Sequence, residues 1–305
     1  MLMYNYERIM KAGTIIMDDL FGDLAGLGIK KPQSEDIFME EEQDAAAKTA
    51  AQAPEQSKAK IYNEADYIFD KNMECPVCGR AFKTKKVRAG KARFIGTDSD
   101  LRPLHDGVDT VKYDAIVCLH CGYASLERVF TNVTAKQAKE IRDQIGYNFK
   151  GMTNPIGAYT YEEAIQRYKL ALLCCVIRKM KISERAYVCL KLAWLYRGWK
   201  STLSESEADY EKKKKECEDN EKSFITKAYE GFKIALAKES MPICGMDQYT
   251  FSYLMADLAR QNKEYDNAQK FIYEIIASRS VSAKVKEKAR ILNERIKQEK
   301  DEQSS

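Results

Sequence analysis

The chain predicts an α+β protein, mostly α, in which a small four-cysteine β module precedes a helical-repeat domain. Three observations lead there. Cys75/Cys78 and Cys118/Cys121 form two Cys-x-x-Cys-Gly runs, alternating apolar and basic residues lie between them, and from Thr134 onward the apolar period is helical. At 305 residues, 45% hydrophobic and 31% charged, the chain is long enough for two domains and is not disordered as a whole. Fifty basic groups against 46 acidic ones leave a formal net charge of +4. Any affinity for nucleic acid must therefore come from a local patch rather than the overall field.

Residues 1–29 hold a weak amphipathic segment in which Leu20, Phe21, Leu24 and Leu27 recur at helical spacing beside Asp18, Asp19 and Asp23. Gly22, Gly26 and Gly28 each cost roughly 1 kcal/mol in a helix. The segment reads as a frayed terminus, or as a hook that folds onto a partner or onto the helical domain. Met17 offers an alternative start. Residues 30–60 are acidic, alanine-rich and glutamine-rich, with almost no large apolar residue beyond Ile37, Phe38 and Met39. Such a stretch buries too little to offset its ordering entropy and reads as a flexible linker. The apolar stretch 14–17 is too short for a signal-peptide core, and no run approaches the length of a membrane span. An odd count of nine cysteines, four of them in metal-type pairs, fits a reducing compartment, so a cytoplasmic protein is expected.

Residues 61–133 read as a zinc-ribbon-like module. A Cys-x-x-Cys turn ending in glycine brings two sulfurs to one tetrahedral ion, and here Gly79 and Gly122 end the two turns. Cys75, Cys78, Cys118 and Cys121 are the expected ligands of one structural Zn2+; a rubredoxin-like iron site and a redox dithiol are the competing readings. Four protein ligands leave no open position for substrate water, which favours a structural metal over a catalytic one. Residues 82–96 alternate and predict a β-hairpin turning at Gly90, with 113–118 as a third strand leading into the second cysteine pair. The basic stretch 80–93 holds seven Lys or Arg and no acid. Its Lys83, Lys85, Lys86, Arg88 and Arg93 are candidate phosphate contacts; the alternative is a solvated sheet face or one docked on the acidic linker. Asp98, Asp100, Arg102 and His105 form a candidate polar cluster, either capping turns or making a second metal or acid–base site. His120, inside the second pair, is expected to point away from the metal.

The helical domain, 134–300, carries an internal similarity. Ala164, Tyr168, Ala171 and Leu172 fall in register with Ala228, Phe232, Ala235 and Leu236, and with Ala268, Ile272, Ile275 and Ile276. This resembles the second helix of tetratricopeptide repeats, with first helices matched by 183–199 and 248–261. The alanines are 64 and then 40 residues apart, against about 34 in that repeat. The middle unit therefore carries a charged insertion, including Lys212–Lys215, expected to extend a helix into solvent. Val285, Ala289, Leu292 and Ile296 predict a terminal capping helix. Cys174, Cys175 and Cys189 lie on apolar faces and read as core, while Tyr249, Tyr253, Tyr265 and Tyr273 are either core or the lining of a peptide groove.

Residues 75–125 contain Cys-Pro-Val-Cys-Gly, Phe-Lys-Thr-Lys-Lys-Val-Arg, Asp-Ser-Asp-Leu-Arg-Pro, Tyr-Asp-Ala-Ile-Val-Cys and His-Cys-Gly-Tyr-Ala. In these runs the chain resembles a bacterial family known only as a domain of unknown function. The resemblance implies a zinc-ribbon-like head joined to tetratricopeptide-like helices, with no established reaction, and it places Asp98, Asp100 and Arg102 in the family's signature. Leu119 stands where the second knuckle usually has proline, which only stiffens the turn. The expected function is a non-enzymatic, zinc-stabilised adaptor that binds an unidentified protein or peptide partner through its helical repeats. A nucleic-acid binder using 80–93 is the alternative, and a metal-dependent hydrolase or dithiol redox enzyme stands third.

Overall fold

The computed structural model describes residues 20–29, 38 and 63–304. Met17 and, apart from Phe38, the predicted linker 30–60 lie outside the described residues. Each cysteine pair is the turn of its own antiparallel hairpin. β1 (Ile68–Glu74) runs into the first knuckle and β2 (Ala81–Val87) runs out of it, paired from Glu74↔Ala81 to Ile68↔Val87. β5 (Ala115–Val117) and β6 (Ala124–Leu126) flank the second knuckle in the same way. Between them, β3 (Phe94–Thr97) pairs with β4 (Pro103–His105), giving three separate two-stranded sheets among the described residues.

This corrects the hairpin predicted over 82–96, whose two halves lie in different sheets. The strand predicted at 113–118 is present as β5 and leads into the second cysteine pair, but it pairs with β6 rather than with that hairpin. The cause is local: the knuckle backbone hydrogen-bonds to itself and closes the connection between β1 and β2. Cys75 N–H donates to the Arg80 carbonyl at 3.1 Å and Gly79 N–H to the Cys75 carbonyl at 2.9 Å. β2 is thereby folded back onto the strand that precedes it, and the Arg88 N–H, donating to Tyr67 at 2.7 Å, extends that ladder past the strand end.

The rest is helical. Thr134 with Gln137 and Thr160 with Glu163 form capping boxes that start α1 (Ala135–Ile141) and α2 (Tyr161–Ile177). A π turn, Arg142–Gly146, ends α1. There follow α3 (Ile182–Lys200), α4 (Tyr210–Lys238), α5 (Gln248–Gln261, capped by Asp247), α6 (Tyr265–Ala277) and α7 (Ala283–Ser304). Neighbours in sequence pack on one another, most extensively α3 with α4 and α5 with α6, and α2 lies across β5 and β6. Ala164, Ala228 and Ala268 are fully buried with the residues in register behind them, except that Leu236 is exposed and Ile276 only partly buried. The predicted insertion is the first half of α4. Its side chains are largely solvent-facing, but Cys217 is buried, and Glu221 is held by Arg197 and Lys200 of α3.

One buried cluster runs from Val77, Ile116 and Tyr123 of the β module through α2 to Ile272 and Ile296, so the core does not break between residues 133 and 134. Phe21, Leu24 and Ile29 join it. Gly28 makes that approach possible: at φ 80° it lies against Asn148, whose carbonyl oxygen would be 2.0 Å from a Cβ.

Candidate metal centre

The two knuckles are built alike. Cys118 N–H donates to the Tyr123 carbonyl at 2.8 Å and Gly122 N–H to the Cys118 carbonyl at 3.0 Å, the same pair of bonds that closes the first turn. Gly79 and Gly122 take φ of 69° and 71°, the left-handed conformation that bends the chain back under the sulfurs. The four Sγ atoms of Cys75, Cys78, Cys118 and Cys121 consequently lie within 4.8 Å of one another, a cluster that could hold one metal ion. Cys75 faces Cys121 at 3.7 Å and Cys78 faces Cys118 at 3.7 Å. None of the four is in a disulfide. Cys75, Cys118 and Cys121 are buried, and only Cys78 is partly open to solvent.

Thiols this close compete for protons. Hydrogen bonds from Cys121 and Cys75 hold Cys118 far below the ordinary thiol range, and in return Cys118 pushes Cys75 and Cys121 up. Backbone N–H groups add to the sulfur shell, with Val77 N–H 3.4 Å from Cys75 Sγ. Such a set gives up protons when a cation supplies the missing charge.

Residues from the π turn, the connection after it, α2 and the second knuckle itself hold the two knuckles in place. Arg142, on the π turn, donates to the Val77 carbonyl at 2.7 Å, and Met152 N–H reaches the Leu119 carbonyl at 3.3 Å. His120 Nε2 donates to the Ala81 carbonyl at 3.1 Å, tying the second knuckle to β2. Cys174 of α2 lies beneath the second knuckle, its sulfur 3.3 Å from the Ala124 N–H. Burial pushes Cys174, Cys175 and Cys189 up to about 12, so these thiols stay protonated within the core. Arg142 was not legible as a partner of the site, since a lone arginine after a short helix carries no signal of what it will touch.

The other candidate residues are placed differently. Asp98, Asp100 and Arg102 do come together, in the β3–β4 loop, but around arginines rather than around His105. Arg197 of α3 donates to Asp100 at 3.0 and 2.7 Å, to Asp98 at 3.1 Å and to Glu221 at 2.7 Å. Arg102 donates to Asp109 at 2.8 Å, and Tyr161 reaches the same oxygen at 3.0 Å. Ser99 donates to Asp257 of α5 at 3.1 Å, so this one loop joins α3 and α5, while Glu221 links α4 to the same arginine. His105 instead bonds Thr110 at 3.1 Å and stands edge-on to Phe94, and burial lowers its pKa against the opposing charge of Asp109.

The basic stretch is divided rather than continuous. Lys85 is buried on Asp70 at 3.2 Å, Lys86 is paired with Glu127, and the Arg88 guanidinium stands 5.6 Å over the Phe69 ring. Lys83 is exposed and Arg93 partly so.

A family model described as uncharacterized proteins conserved in bacteria (DUF2225) matches residues 68–301, which spans both the knuckles and the helices through most of α7. No curated protein and no solved structure matches the chain. Among the described residues no helix is long and apolar enough to cross a membrane.

Proposed function

The chain belongs to this family of uncharacterized bacterial proteins, and from that premise we propose that it is a zinc-stabilised scaffold. In this reading one structural Zn2+ on Cys75, Cys78, Cys118 and Cys121 braces a tetratricopeptide-like helical array that binds a protein or peptide partner in the cytoplasm. The convergence of the four sulfurs carries it. Zinc–thiolate bonds are about 2.3 Å, so neighbouring sulfurs of a regular tetrahedron stand about 3.8 Å apart. The Cys75–Cys121 and Cys78–Cys118 separations of 3.7 Å suit that ion. An all-sulfur set of four is the donor set of closed structural sites, and the bound ion would contribute folding free energy on the order of 10 kcal/mol.

The helical pairs α3/α4 and α5/α6, with buried alanines at Ala228 and Ala268, support the repeat reading. A reducing compartment accords with nine free cysteines. Two measurements test the proposal. Elemental analysis of the purified chain should give one zinc per molecule, and Cys118→Ser should lose it; unchanged metal content in that variant rejects the site. Affinity purification from cells, with nuclease treatment, should retain a protein partner. Loss of every partner to nuclease would point to nucleic acid instead.

A further inference from the structure

Gly231 lies in the interior of α4, where a glycine costs about 1 kcal/mol relative to alanine. A Cβ there would lie 2.5 Å from Cε1 and 2.8 Å from Cζ of Phe38, and 2.8 Å from the Ala186 methyl of α3. Two small residues on facing helices thus leave a slot, and an aromatic ring fills it. Phe38 is 9% exposed. It is carried on a run, Ser34 to Asp44, with Glu35, Asp36, Glu40, Glu41, Glu42 and Asp44 and no Lys or Arg. Lys227 and Lys238 lie one turn before and two turns after Gly231 on the same face of α4. A ring-sized slot on a helical pair, with basic residues along the same face, is a means of reading one aromatic anchor in an acidic peptide.

We propose that the slot floored by Ala186 and Gly231 is the partner-recognition site of this scaffold, that its ligand is an acidic peptide with a central aromatic side chain, and that Phe38 occupies it in cis. This rests on the scaffold reading and names the partner's chemistry. A ligand on the same chain competes at an effective concentration that can reach about millimolar. A partner peptide therefore binds the native chain more weakly than its intrinsic affinity.

The test uses a fluorescent peptide of residues 34–44 and the full-length chain, read by anisotropy. Phe38→Ala should bind the peptide at least about tenfold more tightly than the wild type, by removing the tethered competitor. The same peptide with its phenylalanine replaced by alanine should not bind, and higher salt should weaken the complex. Gly231→Ala in the Phe38→Ala background should reduce binding by a similar factor, with circular dichroism confirming the fold.

A folded Phe38→Ala chain without affinity for the peptide overturns the proposal, showing Phe38 to be a packing residue. The scaffold reading would survive that result, since metal content and copurification of a protein partner test it separately. If Phe38→Ala does not fold, Phe38→Leu keeps an apolar side chain in the slot. Tighter peptide binding by that variant supports the site, and binding equal to the wild type refutes it.

Discussion

Asp100 is fully buried and accepts two hydrogen bonds from Arg197, at 3.0 and 2.7 Å, so its carboxylate has traded water for one guanidinium. Burial works to lower the Arg197 pKa, but Asp100 and Glu221 outweigh it and raise it, so the arginine is charged at any pH the protein survives. Removing one partner of such a pair strands the other. Asp100→Asn should therefore destabilise the fold by about 3 kcal/mol, read as a lower urea midpoint with unchanged slope, and a loss below about 0.5 kcal/mol would mean the pair is only a surface contact. The Asp-Ser-Asp-Leu-Arg-Pro run was visible in the sequence, whereas its role was not. The run shows which charges sit in the loop, but Arg197 and Asp257 reach it from two helices, with Glu221 of a third holding Arg197 from behind, and nothing in their local pattern marks them. The cysteines were legible for the opposite reason: their spacing and trailing glycines encode, within five residues, the turn that brings each pair of sulfurs together. Gly231 did carry a signal, since a glycine inside a long helix asks what approaches it.

At the scale of elements, helix existence and the register of buried alanines could be read from periodicity, while strand pairing could not. Alternation marks 82–87 as a strand without saying which neighbour it pairs with, and the knuckle backbone decides that. The short turn at Thr110–Tyr113 delivers Asp114 onto α3, where Lys191 meets it at 2.8 Å between the rings of Tyr187 and Trp194, 5.0 and 5.7 Å away. Burial alone would lower Lys191, but the Asp114 charge raises it from 10.5 to about 12, and Lys191 in turn holds Asp114 below its ordinary value despite burial. The sign follows for each partner. The Lys191 contribution is complete below its unfolded value of 10.5 and is lost as pH rises through about 12. The Asp114 contribution is present above its unfolded value and is lost as pH falls through the lowered one. A double-mutant cycle with Lys191→Met and Asp114→Asn should give a coupling on the order of 2 kcal/mol that is flat from weakly acidic to weakly alkaline pH. Above 10.5 it should decline. Coupling that stays level near pH 11.5, an approximate upper working limit, would contradict the pairing.

For the whole molecule, the continuity of the core decides how far the effect of the proposed zinc extends. Two domains joined in series, as the sequence suggests, would let the four-cysteine module unfold on chelation while the helices persist. The structure places Cys174 of α2 against the Gly122 carbonyl and the Ala124 N–H, with Tyr123 and Ile116 in the same buried cluster as Leu170 and Leu173. Arg178, at the end of α2, donates to the Tyr123 hydroxyl and to Ser125 of β6. If the knuckles open, α2 loses the surface on which one side of it is buried, and each large apolar side chain re-exposed costs about 1.5–3 kcal/mol. α6 and α7 pack on each other and on α5, away from that surface. Hydrogen exchange after removal of the metal with a chelator should therefore show protection lost together in β5, β6 and α2, with α6 and α7 keeping theirs. Protection of α2 that is indifferent to the metal would show that the knuckles and the helices fold independently, and would confine the ion's influence to the hairpins it joins.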